Sequence, residues 1–239
     1  MRRFFAPPEN FSDERVRLDK DETRHLRDVL RLRDGDEVSV FDGEGREYRC
    51  TISEIGKKDS TLKVIGEMEP AAPESALEIT VAASMLSGEK YDLIIQKAVE
   101  LGVAKFIPIH TVRCDVRLTD GGKRIDRWRR IAMEATKQTG RAKLMEIAEP
   151  TAFDKLLADL KGEDVVLFSE RDGRDLGTVS PDKKITACYG PKGGWDDIEL
   201  ELASKHGVNI VTLGGRILRA ETAAIAITAI VQHRFGDLN

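Results

Sequence analysis

Lys184-Ile185-Thr186-Ala187-Cys188-Tyr189-Gly190-Pro191-Lys192-Gly193-Gly194-Trp195 decides the fold class of this chain: a short β-prone run stops at a glycine-rich turn. The pattern returns at Val208 to Leu213, followed by Gly214-Gly215-Arg216-Ile217-Leu218-Arg219-Ala220-Glu221-Thr222-Ala223. Between the two, Asp196 to His206 opens on two acids and ends before Gly207, as a helix should. Strand, turn, helix and strand in that order are the unit of a parallel sheet. Working toward the N-terminus, Glu78 to Ala83, Lys105 to Ile109 and Val165 to Phe168 read as further strands. Tyr91 to Leu101 and Ile125 to Thr139 read as amphipathic helices ending at Gly102 and Gly140. The second should turn Ile125, Trp128, Ala132 and Ala135 inward and leave Arg127, Arg129, Arg130 and Lys137 largely outward. The final helix, Glu221 to Arg234, carries more apolar surface than one stripe needs, so it should be buried on more than one side.

Upstream the texture differs. Residues 1–70 read as a compact, β-rich, barrel-like module, with strands at Arg2 to Ala6, Glu37 to Phe41, Tyr48 to Ile55 and Thr61 to Ile65. One helix interrupts them, opened by a capping box of Asp19 and Glu22, carrying His25, Leu26, Val29 and Leu30 on one side and ending before Asp34-Gly35. Residues 71–76 form a proline-containing linker, and 77–239 the α/β part.

At 239 residues, with 41% hydrophobic and 33% charged residues, the chain suits a soluble globular protein of one or two domains. No stretch approaches the roughly 20 apolar residues of a membrane span, and no signal-peptide apolar region follows Met1. Cys50, Cys114 and Cys188 are an odd, scattered set, which fits free thiols and a cytoplasmic address. The four histidines are equally dispersed, so no metal site is expected. Thr111 to Lys143 holds ten basic and four acidic residues, +6 against −10 for the rest of a chain whose net charge is −4. Such a basic stretch on an acidic background suits either an anionic partner held at one face or a solvated helix face.

The motifs of serine hydrolases, P-loop enzymes and early-glycine dinucleotide sites are missing. The glycine-rich turns come late instead, after the fourth and fifth strands of the α/β part. Parallel sheets bind ligands beyond their strand C-termini, and glycines there let main chain approach a ligand closely. Two such loops side by side imply one pocket, in which Ile217 and Leu218 could wall a flat ring while backbone groups read its edge.

The paired late motifs, with His25-Leu26, Val29-Leu30-Arg31, Gln96 to Val103 and Gln138-Thr139-Gly140-Arg141, resemble the RsmE family of SPOUT methyltransferases, which methylates N3 of a uridine in 16S ribosomal RNA of the small subunit. The resemblance covers essentially the whole chain. It implies an N-terminal PUA-like RNA-binding β-barrel, a C-terminal SPOUT α/β domain with a trefoil knot, S-adenosylmethionine as cofactor and a homodimer. It places the donor at Phe168, Ser169, Glu170, Gly190, Pro191, Gly193, Gly194, Leu213, Gly214, Ile217 and Leu218. Three positions depart from the family: Lys192 where Glu is more frequent, Thr139 where Ser is usual and Ala220 where Thr is usual. The swap at Lys192 reverses a charge beside the pocket, so no role passes to that side chain by analogy.

Uracil N3 bears a proton and is a poor nucleophile until it leaves, so a basic group or a cation that stabilises the uracil anion should be near. Arg219 and Glu221 flank the donor loop and are the candidates for charge stabilisation and orientation; a mutual ion pair or a helix cap is the alternative. RNA phosphates would be held by Arg113, Arg117, Arg141 and Lys143, with Arg2, Arg3 and Arg31 helping from the barrel. Competing functions are a non-catalytic RNA-binding assembly factor, a SPOUT enzyme acting on another RNA position, and a small-molecule α/β enzyme. Intact glycines in both late loops favour a working donor site over the first, and the basic segment beside a separate barrel favours an RNA partner over the last.

Overall fold

The computed structural model describes residues 1–114, 116 and 121–238, and the chain divides into two compact units, 1–74 with 136–144, and 75–135 with 145–239. Residues 136–144 thus belong with the first unit, although the sequence pattern groups them with the second.

In the first unit, β1 (Arg3–Phe5), β2 (Phe11–Ser12), β3 (Arg15–Leu18), α1 (Lys20–Arg24), β4 (Glu37–Phe41), β5 (Glu47–Ile55) and β6 (Ser60–Met68) follow in order. The strands form one mixed sheet in the order β1-β4-β5-β6-β3-β2, curled into a half-barrel. Only β1 and β4 run parallel. Phe4, Val16, Leu18, Leu26, Val38, Val40, Cys50, Ile52 and Leu62 fill its interior. The sequence does not predict the short strands β2 and β3, because two and four residues are too few to show alternation.

Asp19 caps α1 as its sequence suggests, accepting from the amides of Asp21 and Glu22. Glu22 does not complete a capping box; its carboxylate pairs with Lys137. After Arg24 the helix widens to a π-turn over His25–Val29, with the amide of Leu30 donating to His25 O at 3.0 Å. That wider turn rotates Val29 off the inward stripe, and it is 63% exposed while Leu26 is fully buried.

Segment 136–144 is held by polar bonds. Arg3 donates to Glu47 at 2.9 Å and to the carbonyls of Thr136, Lys137 and Arg141 at 3.2, 3.0 and 2.9 Å. Arg141, 4% exposed, makes a forked pair with Glu74 at 2.9 and 2.6 Å. Leu144 N donates to Gly43 O, and a Cβ on Gly43 would stand 2.9 Å from the Phe5 ring, so only glycine fits there. Lys137, expected outward, closes on Glu22 instead.

Burial raises the carboxyl of Glu22 above its ordinary range despite Lys137. Between the usual carboxylate pKa and that raised value the native state keeps a proton the unfolded chain has lost. This group's stabilisation is therefore full at lower pH and fades as pH rises through the window. Denaturant midpoints of the wild type and Glu22→Gln across the acid range should show the wild type's relative stability falling as pH rises. A relative stability that climbs instead would overturn the raised value.

The second unit contains β7 (Glu78–Ser84), α2 (Glu89–Glu100), β8 (Lys105–His110), α3 (Gly121–Thr139, its last turn counted with the first unit), β9 (Glu146–Ile147), β10 (Thr151–Ala152), α4 (Phe153–Asp159), β11 (Val165–Phe168), β12 (Lys184–Tyr189), α5 (Asp197–Lys205), β13 (Asn209–Val211) and α6 (Ala220–Phe235). All strand pairs are parallel, in the order β10-β8-β7-β12-β11-β13, with β9 also on β8. Alternation along each strand feeds two cores. Val166, Phe168, Ile185, Ala187 and Tyr189 pack with α2, α3 and α6, and Val165, Leu167 and Cys188 with α4 and α5. Ile125, Trp128, Ala132 and Ala135 are buried as their spacing predicts, whereas α4 has too short a pattern to stand out.

All three cysteines are free. Burial pushes the Cys50 and Cys188 thiols up to about 12, which makes them inert. No described helix is long and apolar enough to cross a membrane.

Candidate active site

The registers Phe168↔Tyr189 and Phe168↔Val211 bring the C-terminal ends of β11, β12 and β13 side by side. The loops that leave them therefore share one edge, and between them lies a cavity of about 340 Å³. Phe168, Ser169, Glu170, Gly190, Pro191, Gly193, Gly194, Leu213, Gly214, Ile217 and Leu218 all line it. So do Tyr189, Lys192, Trp195, Thr212, Gly215 and Arg216 from the same loops, and Ala220, Ala223 and Ile227 from α6. The last three sit at i, i+3 and i+7, a helix-face signal available in the sequence. Tyr189 and Trp195 are each 3% exposed or less while also walling the cavity.

Loop 190–196 is built around Trp195. Its indole N–H donates to Phe168 O at 2.9 Å, tying the loop after β12 to the end of β11, and its ring lies 4.8 Å from that of Phe153. Gly194, at φ +72°, closes a turn by donating to Pro191 O at 3.0 Å. A Cβ there would fall 2.6 Å from Glu170 Oε1.

The loop after β13 is fastened at its root. Gly173 N donates to Thr212 Oγ1 at 2.9 Å and Thr212 N to Arg174 O at 3.0 Å. Gly173 runs so close to the strand that a Cβ would meet the main chain of Val211 and Thr212 at 2.4 Å. Beyond that point, among the described residues, the N–H groups of residues 213–218 have no main-chain partner. Ile217 and Leu218 do not pack inward; they are 86% and 44% exposed.

The first match to known proteins covers residues 73–232 and is described as an RNA methyltransferase domain; a second, at residues 18–65, is described as an RNA methyltransferase PUA domain. Ribosomal RNA small subunit methyltransferase E of Rickettsia conorii is 32% identical, over 88% of this chain and 85% of its own. The protein of the same name from Synechocystis is 31% identical, over 92% of this chain and 74% of its own. This chain belongs to the ribosomal RNA small subunit methyltransferase E family. A crystal structure of the Neisseria gonorrhoeae protein of that name, bound to S-adenosylmethionine, superimposes with a TM-score of 0.92 at 34% identity and covers both chains fully.

The cavity fits such a donor. Its volume lies in the range of small-molecule sites, roughly 300 to 1,000 Å³. A Cβ at Gly194 or Gly190 would strike Glu170 or Trp195, both of which line the cavity, so glycine is what keeps these walls in place, and amides of residues 213–218 without a main-chain partner lie along another. Among the described residues, no group of three or more His, Cys, Asp or Glu side chains is placed to hold a metal ion.

The two candidate catalytic residues, Arg219 and Glu221, do not line the cavity; they are the chain neighbours of its lining residue Ala220. Arg219 is the exposed N-cap residue of α6 and caps nothing with its side chain. Glu221 pairs with Lys90 at 2.8 Å rather than with Arg219. The Lys90 hydrogen bond, with Glu221's own main-chain amide and the charge of Arg219, holds the Glu221 carboxyl below its ordinary value. It is a fixed anion at neutral pH and a weak base.

The expected RNA contacts separate into groups. Arg2, Arg31 and Lys143 are exposed. Arg3 and Arg141 are corrections: their guanidiniums are turned inside the first unit and committed to Glu47, Glu74 and main-chain carbonyls. Arg113 is 42% exposed but donates to Gly193 O and Asp196. Arg117 lies outside the described residues.

Proposed function

We propose that this chain is an S-adenosylmethionine-dependent methyltransferase acting on N3 of a specific uridine in 16S ribosomal RNA. The observation that carries the reading is the single cavity at the ends of β11, β12 and β13, in a chain whose whole length matches a donor-bound methyltransferase E structure. When bound, S-adenosylmethionine supplies an electrophilic methyl group on a sulfonium.

The chain's own residues bind and orient. Amides of residues 213–218 and the walls formed by Leu213, Ile217 and Leu218 hold the adenosyl part, while Gly190 to Gly194 and Phe168 to Glu170 close the opposite side. Fixing an acceptor against a donor is worth about 7 to 11 kcal/mol of barrier, which makes positioning the main task. The N3 proton passes to water, Arg219 stabilises the uracil anion that remains, and N3 would take the methyl as its bond to sulfur breaks and a neutral thioether leaves; Glu221, anchored by Lys90, is the orienting group. The target base must be unpaired or flipped out, because N3 is engaged in Watson–Crick pairs.

Residues 1–74 with 136–144 serve as the PUA-like RNA-binding module, and 75–135 with 145–239 as the catalytic one. Arg2, Arg31 and Lys143, with the exposed arginines of α3, hold phosphates. The second unit closes as a trefoil knot, and the protein works in the cytoplasm as a homodimer through α6, whose Ile230 is 41% exposed while Ala224, Ile227 and Val231 are buried.

Incubation with methyl-labelled S-adenosylmethionine and undermethylated small ribosomal subunits tests this. Label is expected on N3 of one uridine. Label on a ribose or another ring atom would reassign the acceptor, and donor binding without transfer to any RNA would favour the assembly-factor reading.

A further inference from the structure

The stretch after β8 and the donor loop after β12 are bolted together twice. Glu199, only 4% exposed, accepts from Asp196 N at 3.0 Å through one oxygen, which caps α5. Its other oxygen accepts from Val112 N at 2.9 Å. The neighbouring Arg113 returns the bond: Nη1 donates to Gly193 O at 3.0 Å and Nη2 to Asp196 Oδ2 at 3.1 Å. Its stem packs along Gly193, with Cδ 3.4 Å from where a Cβ would sit.

We infer that Arg113 and Glu199 are positioning residues for the methyl-transfer reaction, a strap that holds the glycine loop 190–196 in its donor-binding shape. The inference rests on the donor reading of the cavity. A loop with glycines at 190, 193 and 194 has many conformations open to it, and a ligand that must order them binds more weakly. The strap fixes both ends of that freedom: Glu199 sets the start of α5, and Arg113 sets the carbonyl direction at Gly193. Neither side chain lines the cavity, so both act through main chain. A planar guanidinium can reach a carbonyl and a carboxylate at once, and lysine cannot. The basic character of Arg113, which suggests a phosphate contact in the sequence, is thereby redirected toward the donor.

Arg113→Ala and Arg113→Lys test it in the full-length protein, with donor affinity measured by calorimetry in the absence of RNA. Both variants should raise the Kd and KM for S-adenosylmethionine by about tenfold. kcat at saturating donor should stay within about twofold, because the chemical step is untouched. Thermal unfolding should be unchanged, since Arg113 is 42% exposed. Hydrogen exchange in residues 190–196 should quicken in both variants. Unchanged donor affinity, or a loss confined to RNA binding that lysine restores, would overturn the strap. If the wild type itself fails to bind S-adenosylmethionine, the donor reading falls instead, while faster exchange in the variants would still report the strap.

Discussion

Gly190→Ala is expected to weaken S-adenosylmethionine binding by at least about 100-fold, about 2.7 kcal/mol, while leaving the chain folded. One methyl group suffices because of what it would strike. The new Cβ would lie 2.9 to 3.1 Å from three atoms of the Trp195 indole. That ring cannot swing away: it is 1% exposed, packed on Phe153 and bonded through Nε1 to Phe168 O. Overpacking of this kind costs about 1 to 3 kcal/mol, and losing the indole bond leaves the Phe168 carbonyl unsatisfied at about the same cost again. Phe168, Gly190 and Trp195 all border the cavity, so relaxation moves two of its walls together. Calorimetric titration with the donor, alongside near-ultraviolet circular dichroism to verify packing, reads the effect. Wild-type affinity in a folded variant would mean that the donor does not sit against this loop.

The second large effect concerns the first unit. Glu47→Ala should destabilise it by about 3 to 5 kcal/mol, because Arg3 would keep a buried charge with no counter-ion. The side chains of Glu47 and Arg3 are 3% and 12% exposed, and two hydrogen bonds of 2.9 Å join them. Replacing both partners with apolar residues of similar volume should recover part of the loss, since the cost of burying an ion pair disappears with it. Recovery should stay incomplete, because the carbonyls of Lys137 and Arg141 also take hydrogen bonds from Arg3. Urea titrations of the single and double variants measure the difference. A single variant as stable as the wild type would show that Arg3 can turn out to solvent and is available to RNA after all.

Of these two sites, the first marks where local pattern was sufficient. Lys184 to Tyr189 alternates and then meets Gly190, and that alone places a strand end, a turn and a close main-chain approach. The same holds for Val208 to Gly215, although β13 itself is shorter, Asn209–Val211. Eleven residues named from these loops and from Phe168 to Glu170 line one cavity. The α/β class, the β-rich first module and the inward stripe of α3 were legible for the same reason: each rests on periodicity within about a dozen residues.

What the tertiary structure alone decided is where the charged side chains end. Arg3 and Arg141 look like RNA contacts in a basic sequence, yet their partners Glu47 and Glu74 lie 44 and 67 positions away. Lys90 and Glu221 stand at the starts of different helices, and Arg113 reaches Gly193 across 80 residues. Segment 136–144, which belongs with the first unit, is tied to it by the same kind of bond. A backbone turn is settled by the residues that make it. The fate of a long cationic side chain depends on which carboxylate or carbonyl the fold brings within about 3 Å, and no local pattern records that distance.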